Sequence, residues 1–143
     1  MNIFETYQDK IKNLILEINK QGKIEISDNL DSIGVDLPPS QFKAHISTNV
    51  AMVLSKINKS NPNDLAKKIE VELLKIDKDI EKIEIVKPGF INITFKNTFW
   101  NKFIQNVINQ KLEYGSNLTA KKKSFFLEFV SANPTGPLHV GHC

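Results

Sequence analysis

Two histidines near the C-terminal end of the sequence are the residues whose type and spacing most clearly suggest chemistry. His139 and His142 flank Val140 and Gly141 in a loop rich in proline and glycine. If a helix starts in or just after this loop, both imidazoles lie on one side of its first turn, and the glycine lets a bulky ligand approach the backbone. The helix N-terminus adds free N–H groups. The pattern therefore predicts a nucleotide site whose imidazoles hydrogen-bond phosphate oxygens.

Two other interpretations of the histidine pair stay open at this point. Histidines close together in sequence are often exposed residues of a tail that binds nothing. The pair could also hold a metal ion, but no third ligand is apparent nearby, so we predict no metal site. The strand and loop that precede the pair favour the nucleotide.

The segment before the loop predicts a strand that positions these histidines. Residues Ser124–Val130 are almost continuously apolar, which is typical of a strand buried on both faces of a parallel sheet. Glu128 interrupts the run, and a carboxylate in such a strand is costly unless a cation pairs with it. One strand and one loop cannot form a parallel sheet. We therefore expect residues 121–143 to be the start of a truncated α/β nucleotide-binding domain.

The rest of the chain, residues 1–120, predicts an α+β domain of helices packed on a small antiparallel sheet. Apolar periodicity, caps and turn residues predict four helices and three strands. The predicted helices run from Asn2 to Lys20, from about Ser47 to Ile57, from a cap at Asn61 through Ile76, and from Asn97-Thr98 to Tyr114. The predicted strands are Lys23–Ile26 and the two arms of a hairpin, around Ile83–Ile85 and Ile91–Phe95, with Lys87-Pro88-Gly89 as its turn. Residues Asn29–Ser40 predict a loop.

Composition narrows the class of protein. The chain has 143 residues, of which 41% are hydrophobic and 24% charged, as in ordinary globular domains. Its single cysteine, Cys143, excludes a disulfide scaffold, and no apolar run is long enough for a membrane helix. All 19 basic residues are lysine, so guanidinium contacts to phosphate are not available. We expect a cytoplasmic protein that is not attached to a membrane.

Three stretches of the sequence resemble one enzyme family. His139-Val140-Gly141-His142 looks like the HIGH signature of class I aminoacyl-tRNA synthetases, with Val in place of Ile. The longer run Glu128–His142 resembles arginyl-tRNA synthetase in particular. Upstream, Ser47–Leu54 and Pro88–Asn92 are similar to stretches of that family's N-terminal domain.

The resemblance implies arginine–tRNA ligation by the parent protein. In that reaction the carboxylate of arginine attacks the α-phosphate of ATP, used with Mg²⁺, which gives arginyl-adenylate and releases pyrophosphate. The terminal ribose hydroxyl of tRNA(Arg) then takes the arginyl group and AMP leaves. His139 and His142 would be the catalytic residues. The resemblance places ATP on the residues Ala132, Asn133, Pro134, Thr135, Gly136, Pro137, Leu138, His139, Val140, Gly141 and His142. It places arginine on Glu128, Ser131 and Asn133, with Glu128 pairing the substrate guanidinium.

The resemblance also implies that residues 1–120 contact tRNA near its D-loop, through exposed lysines or through Asn, Gln or aromatic side chains. We expect a monomer, and we expect this chain alone to be inactive because it holds only part of a nucleotide site. Two alternatives remain. The chain could be a free-standing tRNA- or RNA-binding module without catalysis, or part of another class I enzyme with an H-x-G-H loop.

Overall fold

The computed structural model describes residues 2–27, 29–116, 124 and 126. Its helices are α1 (Ile3–Lys20), α2 (Val50–Ser55), α3 (Pro62–Ile76) and α4 (Asn97–Gln110), and a 3-10 turn follows at Lys111–Glu113. Its strands are β1 (Val35–Asp36), β2 (Ile46–Thr48), β3 (Ile80–Val86) and β4 (Phe90–Phe95).

Helices α1 and α3 form as their sequences predict. The Asn2 side chain accepts a hydrogen bond from the Phe4 N–H at 3.1 Å and caps α1, and Asn61 caps α3 through the Asn63 N–H at 2.9 Å. Pro62 occupies the first turn of α3, where its missing N–H has no effect. Both helices bury one apolar face, formed by Tyr7, Ile11, Leu14, Ile15 and Ile18 in α1 and by Leu65, Ala66, Ile69 and Leu73 in α3.

The four strands form one antiparallel sheet in the order β1-β2-β4-β3. The predicted hairpin is β3 and β4, whose register pairs Ile83 with Ile93 and Ile85 with Ile91. Alternate residues of β4 face the helices, and Ile91, Ile93 and Phe95 belong to the hydrophobic core. The structure thus confirms the predicted α+β layer of helices on a small antiparallel sheet.

Three local predictions were wrong. Lys23–Ile26 is not a strand, because the backbone N–H and C=O of Glu25 bond to the Asn58 side chain at 2.9 Å each instead of to a neighbouring strand. The predicted loop over residues 29–40 contains the short strand β1. Ser47 and Thr48 belong to β2, where they pair with β4, so the second helix starts later than predicted, at Val50.

The predicted strand at 124–130 and the division into domains at residue 120 fall on residues that are largely outside the described part. Both stay predictions. None of the described helices is long and apolar enough to cross a membrane. The described residues include no group of three or more His, Cys, Asp or Glu side chains placed to hold a metal ion.

Candidate nucleic-acid interface

The residues predicted to bind ATP and arginine lie outside the part of the chain that the structure describes. They are Glu128, Ser131 and the run 132–142, which includes His139 and His142. Their roles stay predictions. The described residues form a different candidate site, on the face of the sheet that the helices leave open.

A row of polar side chains crosses this open face. The register pairs Asp36 with Ser47, Ser47 with Asn92, and Asn92 with Glu84, so each of the four strands contributes one residue. Side chains that pair directly across antiparallel strands lie on the same face, with Cβ atoms about 5 Å apart. The row therefore places four hydrogen-bonding groups side by side.

Asn92 is the most informative member of this row. Its side chain is 2% exposed, yet neither Oδ1 nor Nδ2 has a hydrogen-bond partner among the described residues. Leaving a buried amide unpaired costs about 1–3 kcal/mol, and such groups are rare in folded proteins. Asn92 therefore keeps one acceptor and two donor hydrogens unpaired and closed off from solvent in a residue that lines the space beside it.

That space is a cavity of about 500 Å³, a volume within the range of small-ligand pockets. The loop between β1 and β2 forms one wall, and the β3–β4 turn with the start of β4 forms the other. Ser47 and Asn92 lie between these walls. Each wall contributes an aromatic ring, Phe42 from the loop and Phe90 from β4, and Phe90 is 38% exposed. The cavity thus combines polar hydrogen-bonding groups with two rings on which a flat ligand can stack.

Asn49 holds the loop wall in place. Its Oδ1 accepts a hydrogen bond from the Gly34 N–H at 2.8 Å, and its Nδ2 donates to the Ser32 carbonyl at 3.1 Å. These bonds tie the start of β1 to the end of β2, which lie on either side of the loop. The wall that carries Phe42 is therefore anchored at its base.

Gly89 holds the opposite wall in place. Its φ of +138° is rarely adopted by other residues, and a Cβ at this position would lie 2.6 Å from the Pro62 Cβ. The β3–β4 turn therefore packs directly on the start of α3. This contact positions the next residue, Phe90, at the edge of the cavity.

The charges around the cavity are mixed. Glu84 is paired with Lys82 at 2.6 Å, whereas Asp36 forms no ion pair or hydrogen bond through its side chain with any residue that the structure describes. Lys87, in the β3–β4 turn, is exposed and lines the cavity. The floor is thus polar to acidic, and a cation lies at the rim.

A second buried polar cluster, on the helix side of the sheet, is fully paired. Asp77 is 4% exposed and accepts hydrogen bonds from the Tyr7 hydroxyl at 2.8 Å, from Lys10 Nζ at 2.7 Å and from the Asp79 N–H at 2.9 Å. Burial alone would raise the pKa of Asp77, but the bonds from Lys10, Tyr7 and Asp79 outweigh it and lower the pKa below its usual value. Burial, followed by the bond to Asp77, raises the pKa of the Tyr7 phenol far above its ordinary value.

Sequence reasoning missed the residues of this cavity. The alternation in β4 placed Asn92 on a polar face, and such a face is normally solvated, so nothing marked this asparagine as buried. Amide and aromatic groups were expected among the tRNA contacts, but the particular residues were not identified. The available signal was the short apolar-polar segment Phe90-Ile91-Asn92 directly after the turn.

Comparisons with known proteins give consistent results. Residues 5–95 match the model of the family described as "Arginyl tRNA synthetase N terminal domain". The whole chain is 55% identical, over 144 aligned residues, to the arginine–tRNA ligase of Pelagibacter ubique and covers 25% of that protein. It is 43% identical to the arginine–tRNA ligase of Bartonella henselae and covers 24% of it. The chain thus spans about a quarter of the length of these curated relatives.

A solved structure has a similar fold. The arginyl-tRNA synthetase of Thermus thermophilus superimposes with a TM-score of 0.53 at 15% sequence identity. The match covers 99% of this chain and 21% of that chain. At this level of identity the likeness concerns the fold.

Proposed function

The chain belongs to the family of arginyl-tRNA synthetase N-terminal domains, and from this premise we propose that it is the tRNA-contacting part of an arginine–tRNA ligase. Curated relatives that match along the whole chain carry that name, which favours this function over another class I enzyme with an H-x-G-H loop. The parent protein would use ATP with Mg²⁺ to activate arginine and would transfer it to tRNA(Arg). We place it in the cytoplasm as a monomer, on the resemblance alone.

In this proposal the ATP and arginine contacts remain those that the C-terminal motif implies. His139 and His142 would bind ATP, and Glu128 would pair with the guanidinium of arginine. Such an enzyme needs no covalent nucleophile, because it positions the reactants and stabilises the charge that develops on phosphate. The described domain contributes to this reaction by holding the tRNA.

The cavity over the sheet supports a specific mode of tRNA contact. Proteins that read RNA sequence usually target bases splayed out of loops, which they stack on aromatic rings and hydrogen-bond along their edges. Phe42 and Phe90 supply rings, and Asn92 supplies a donor and an acceptor in a place that water reaches poorly. The observation that carries the proposal is the amide of Asn92, which is buried and has no partner among the described residues. An unstacked base that entered the cavity and displaced the groups covering this amide would satisfy both of its polar atoms.

Binding of a tRNA(Arg) transcript to the 143-residue chain tests this proposal. We expect weak binding that falls as salt rises, because phosphate contacts contribute much of the affinity. Asn92→Leu keeps the size of the side chain but removes its hydrogen bonds, so we expect the dissociation constant to rise about tenfold. Fluorescence anisotropy at low ionic strength measures this change.

Asn106→Leu is the matched control, because Asn106 is exposed on α4 and does not line the cavity. This variant should bind tRNA as the wild-type chain does. Equal affinities of the wild-type chain and Asn92→Leu would contradict the proposed contact, as would the absence of tRNA binding even at low salt.

A further inference from the structure

We propose that the exposed apolar stripe of α4, formed by Ile104 and Ile108, is the surface on which the remaining part of the parent ligase packs. This inference rests on the proposed function, because it takes the chain to be the N-terminal part of a longer enzyme. It gives α4 a positioning role, which is to fix the tRNA-contacting domain relative to the rest of that protein.

The first half of α4 packs on the sheet through aromatic rings. Phe99 is 7% exposed, and its ring stacks on that of Phe95 with 4.3 Å between the centroids. The Trp100 ring meets the His45 ring edge-on at 5.0 Å. These contacts fix the direction in which α4 leaves the sheet.

The second half of α4 leaves part of its apolar side uncovered. Ile104 and Ile108 are four residues apart, so they lie next to each other along the helix, and they are 52% and 58% exposed. Leu112, in the 3-10 turn that follows, is 98% exposed. Phe103 and Val107 of the same helix are half-buried. Grouped apolar residues of this kind indicate a contact surface, whereas single exposed ones do not.

The composition of α4 is that of an interface and not of a solvated helix. Residues 103–110 contain no charged side chain, although 24% of the chain is charged. The exposed sides of the other long helices do carry charges, such as Glu17 and Lys20 in α1 and Lys67 and Lys68 in α3. Charged residues are depleted in the cores of protein interfaces. Without cations, this surface is also a poor partner for phosphate, so it does not extend the tRNA contact.

The place of α4 in the chain identifies what covers it. The family match ends at residue 95, and α4 begins at Asn97, so the helix directly follows the matched N-terminal domain. The chain spans about a quarter of the length of its relatives, and the rest of such a protein would follow this domain. A partner on the same chain has an effective concentration of about 1 mM, which a second copy of this chain would have to exceed. We therefore assign the stripe to the remaining part of the parent protein.

Amide hydrogen exchange on the full-length protein tests this assignment. The amides of residues 104–110 should exchange at least about tenfold more slowly there than in the 143-residue chain, because docking suppresses local opening of the helix. Equal exchange in the two proteins would overturn the proposal. Sedimentation of the 143-residue chain at rising concentration tests the other occupant. A dimer whose formation slows exchange in α4 would assign the stripe to a second copy and would overturn the proposal as well.

Ile104→Asp combined with Ile108→Asp places two charges on the stripe. In the full-length protein this double variant should lose the slow exchange of residues 104–110, and kcat/KM for arginylation of tRNA should fall about tenfold. Gln105→Asp combined with Asn109→Asp is the matched control, because it adds the same charges at the same spacing to exposed residues on the polar side of α4. This control should keep both the slow exchange and the activity.

Three results with the stripe variant would contradict the proposal. Slow exchange that persists in the variant would mean that the stripe is not the contact surface. Loss of slow exchange without loss of activity would mean that the contact does not position the domain. In the 143-residue chain the two double variants should have the same urea midpoint, since all four residues are exposed there. A lower midpoint for the stripe variant alone would mean that the stripe packs within this domain.

The outcomes separate this inference from the proposal beneath it. If α4 exchanges equally in both proteins but Asn92→Leu weakens tRNA binding, the docking surface is wrong and the tRNA contact stands. If α4 is protected in the full-length protein but Asn92→Leu leaves tRNA binding unchanged, the tRNA contact fails and the docking surface stands. A full-length protein that protects α4 but does not arginylate tRNA would overturn the ligase assignment alone.

Discussion

The two faces of the sheet are built from the same strands but meet different physical demands. On the helix side, Ile91, Ile93 and Phe95 of β4 are at most 1% exposed and contact an apolar core. On the open side, Asn92 lies between two of these residues and is almost as buried, but its side chain has no hydrogen-bond partner in the part of the chain that the structure describes. The buried apolar residues on the helix side stabilise the fold. The unpaired amide on the open side destabilises it unless a ligand bonds to that amide.

The largest expected effect is on the helix side. Ile93 is 0% exposed and pairs with Ile46 on one side and Ile83 on the other, so Ile93→Ala leaves a cavity at the centre of the sheet. We expect it to lower the free energy of unfolding by about 3 kcal/mol. Urea denaturation of the 143-residue chain measures this loss, and the molecules that remain folded should bind tRNA normally.

Thr94→Ala is the neighbouring control on the open side. Thr94 is half-buried, and its hydroxyl makes one long hydrogen bond of 3.4 Å to the Lys43 carbonyl, so the variant should lose less than about 1 kcal/mol. If Ile93→Ala costs no more than Thr94→Ala, the contrast between the two faces is wrong.

The sequence predicts the two faces better than it predicts the cavity. Alternation over residues 91–95 correctly separates Ile91 and Ile93 from Asn92 and Thr94, because the side-chain period of a strand is two residues. Asn92 and the β1–β2 loop line the same cavity, and the strands that flank the loop are tied together by the contact of Asn49 with Gly34, 15 residues away in sequence. Local patterns contain no information about such a contact. For the same reason the pairing of Ser47 with Asn92 was not foreseen.

The helices show the same limit. Caps and apolar stripes predict α1 and α3 because their determinants lie within a few residues of one another. The wrongly predicted strand at Lys23–Ile26 alternates as a strand should, but the Asn58 side chain, 33 residues from Glu25, takes its backbone hydrogen bonds. A partner that is distant in sequence overrides the local preference in this segment.

The next effect has the opposite sign and lies on the open side. Asn92→Leu replaces an unpaired buried amide with an apolar group of similar size, so we expect the free energy of unfolding to rise by about 1–2 kcal/mol. The same variant should bind tRNA less tightly. Because we expect it to be more stable than the wild type, weaker binding could not result from unfolding. Urea denaturation and anisotropy on one protein preparation test both halves.

Asn49→Leu sharpens this prediction, because it makes the same replacement at an asparagine whose side chain is paired. Asn49 binds Gly34 and Ser32 at 2.8 and 3.1 Å, so its loss leaves backbone groups without partners and should lower stability by about 1–3 kcal/mol. The two substitutions should thus shift the unfolding midpoint in opposite directions. A destabilised Asn92→Leu would mean that the wild-type amide is satisfied in the free protein.

The smallest effect concerns the paired polar cluster on the helix side, which is the counterpart of Asn92. Tyr7→Phe removes the 2.8 Å hydrogen bond to Asp77 and leaves those from Lys10 and Asp79, so we expect a loss of about 1 kcal/mol at neutral pH. Tyr114→Phe, in an exposed tyrosine, should have almost no effect. Urea denaturation across a range of pH distinguishes the two variants.

The pH dependence has a definite sign at each end. The pKa of Asp77 is lowered in the folded protein, so its contribution is present above the unfolded value of about 3.9 and is lost as the pH falls through the folded pKa. Tyr7→Phe removes one of the bonds that lower this pKa, so the variant should begin to lose stability at a higher pH than the wild type.

The pKa of Tyr7 is raised, so its contribution to the free energy of unfolding is complete below about pH 10. This contribution declines above about pH 10, where the tyrosine of the unfolded chain ionises first. The Tyr7→Phe variant has no phenol at this position, so it does not lose this contribution as the pH rises. The difference in stability between the wild type and the variant should therefore narrow above about pH 10. A difference that stays constant from acid to alkaline pH would mean that Tyr7 acts through packing rather than through its bond to Asp77.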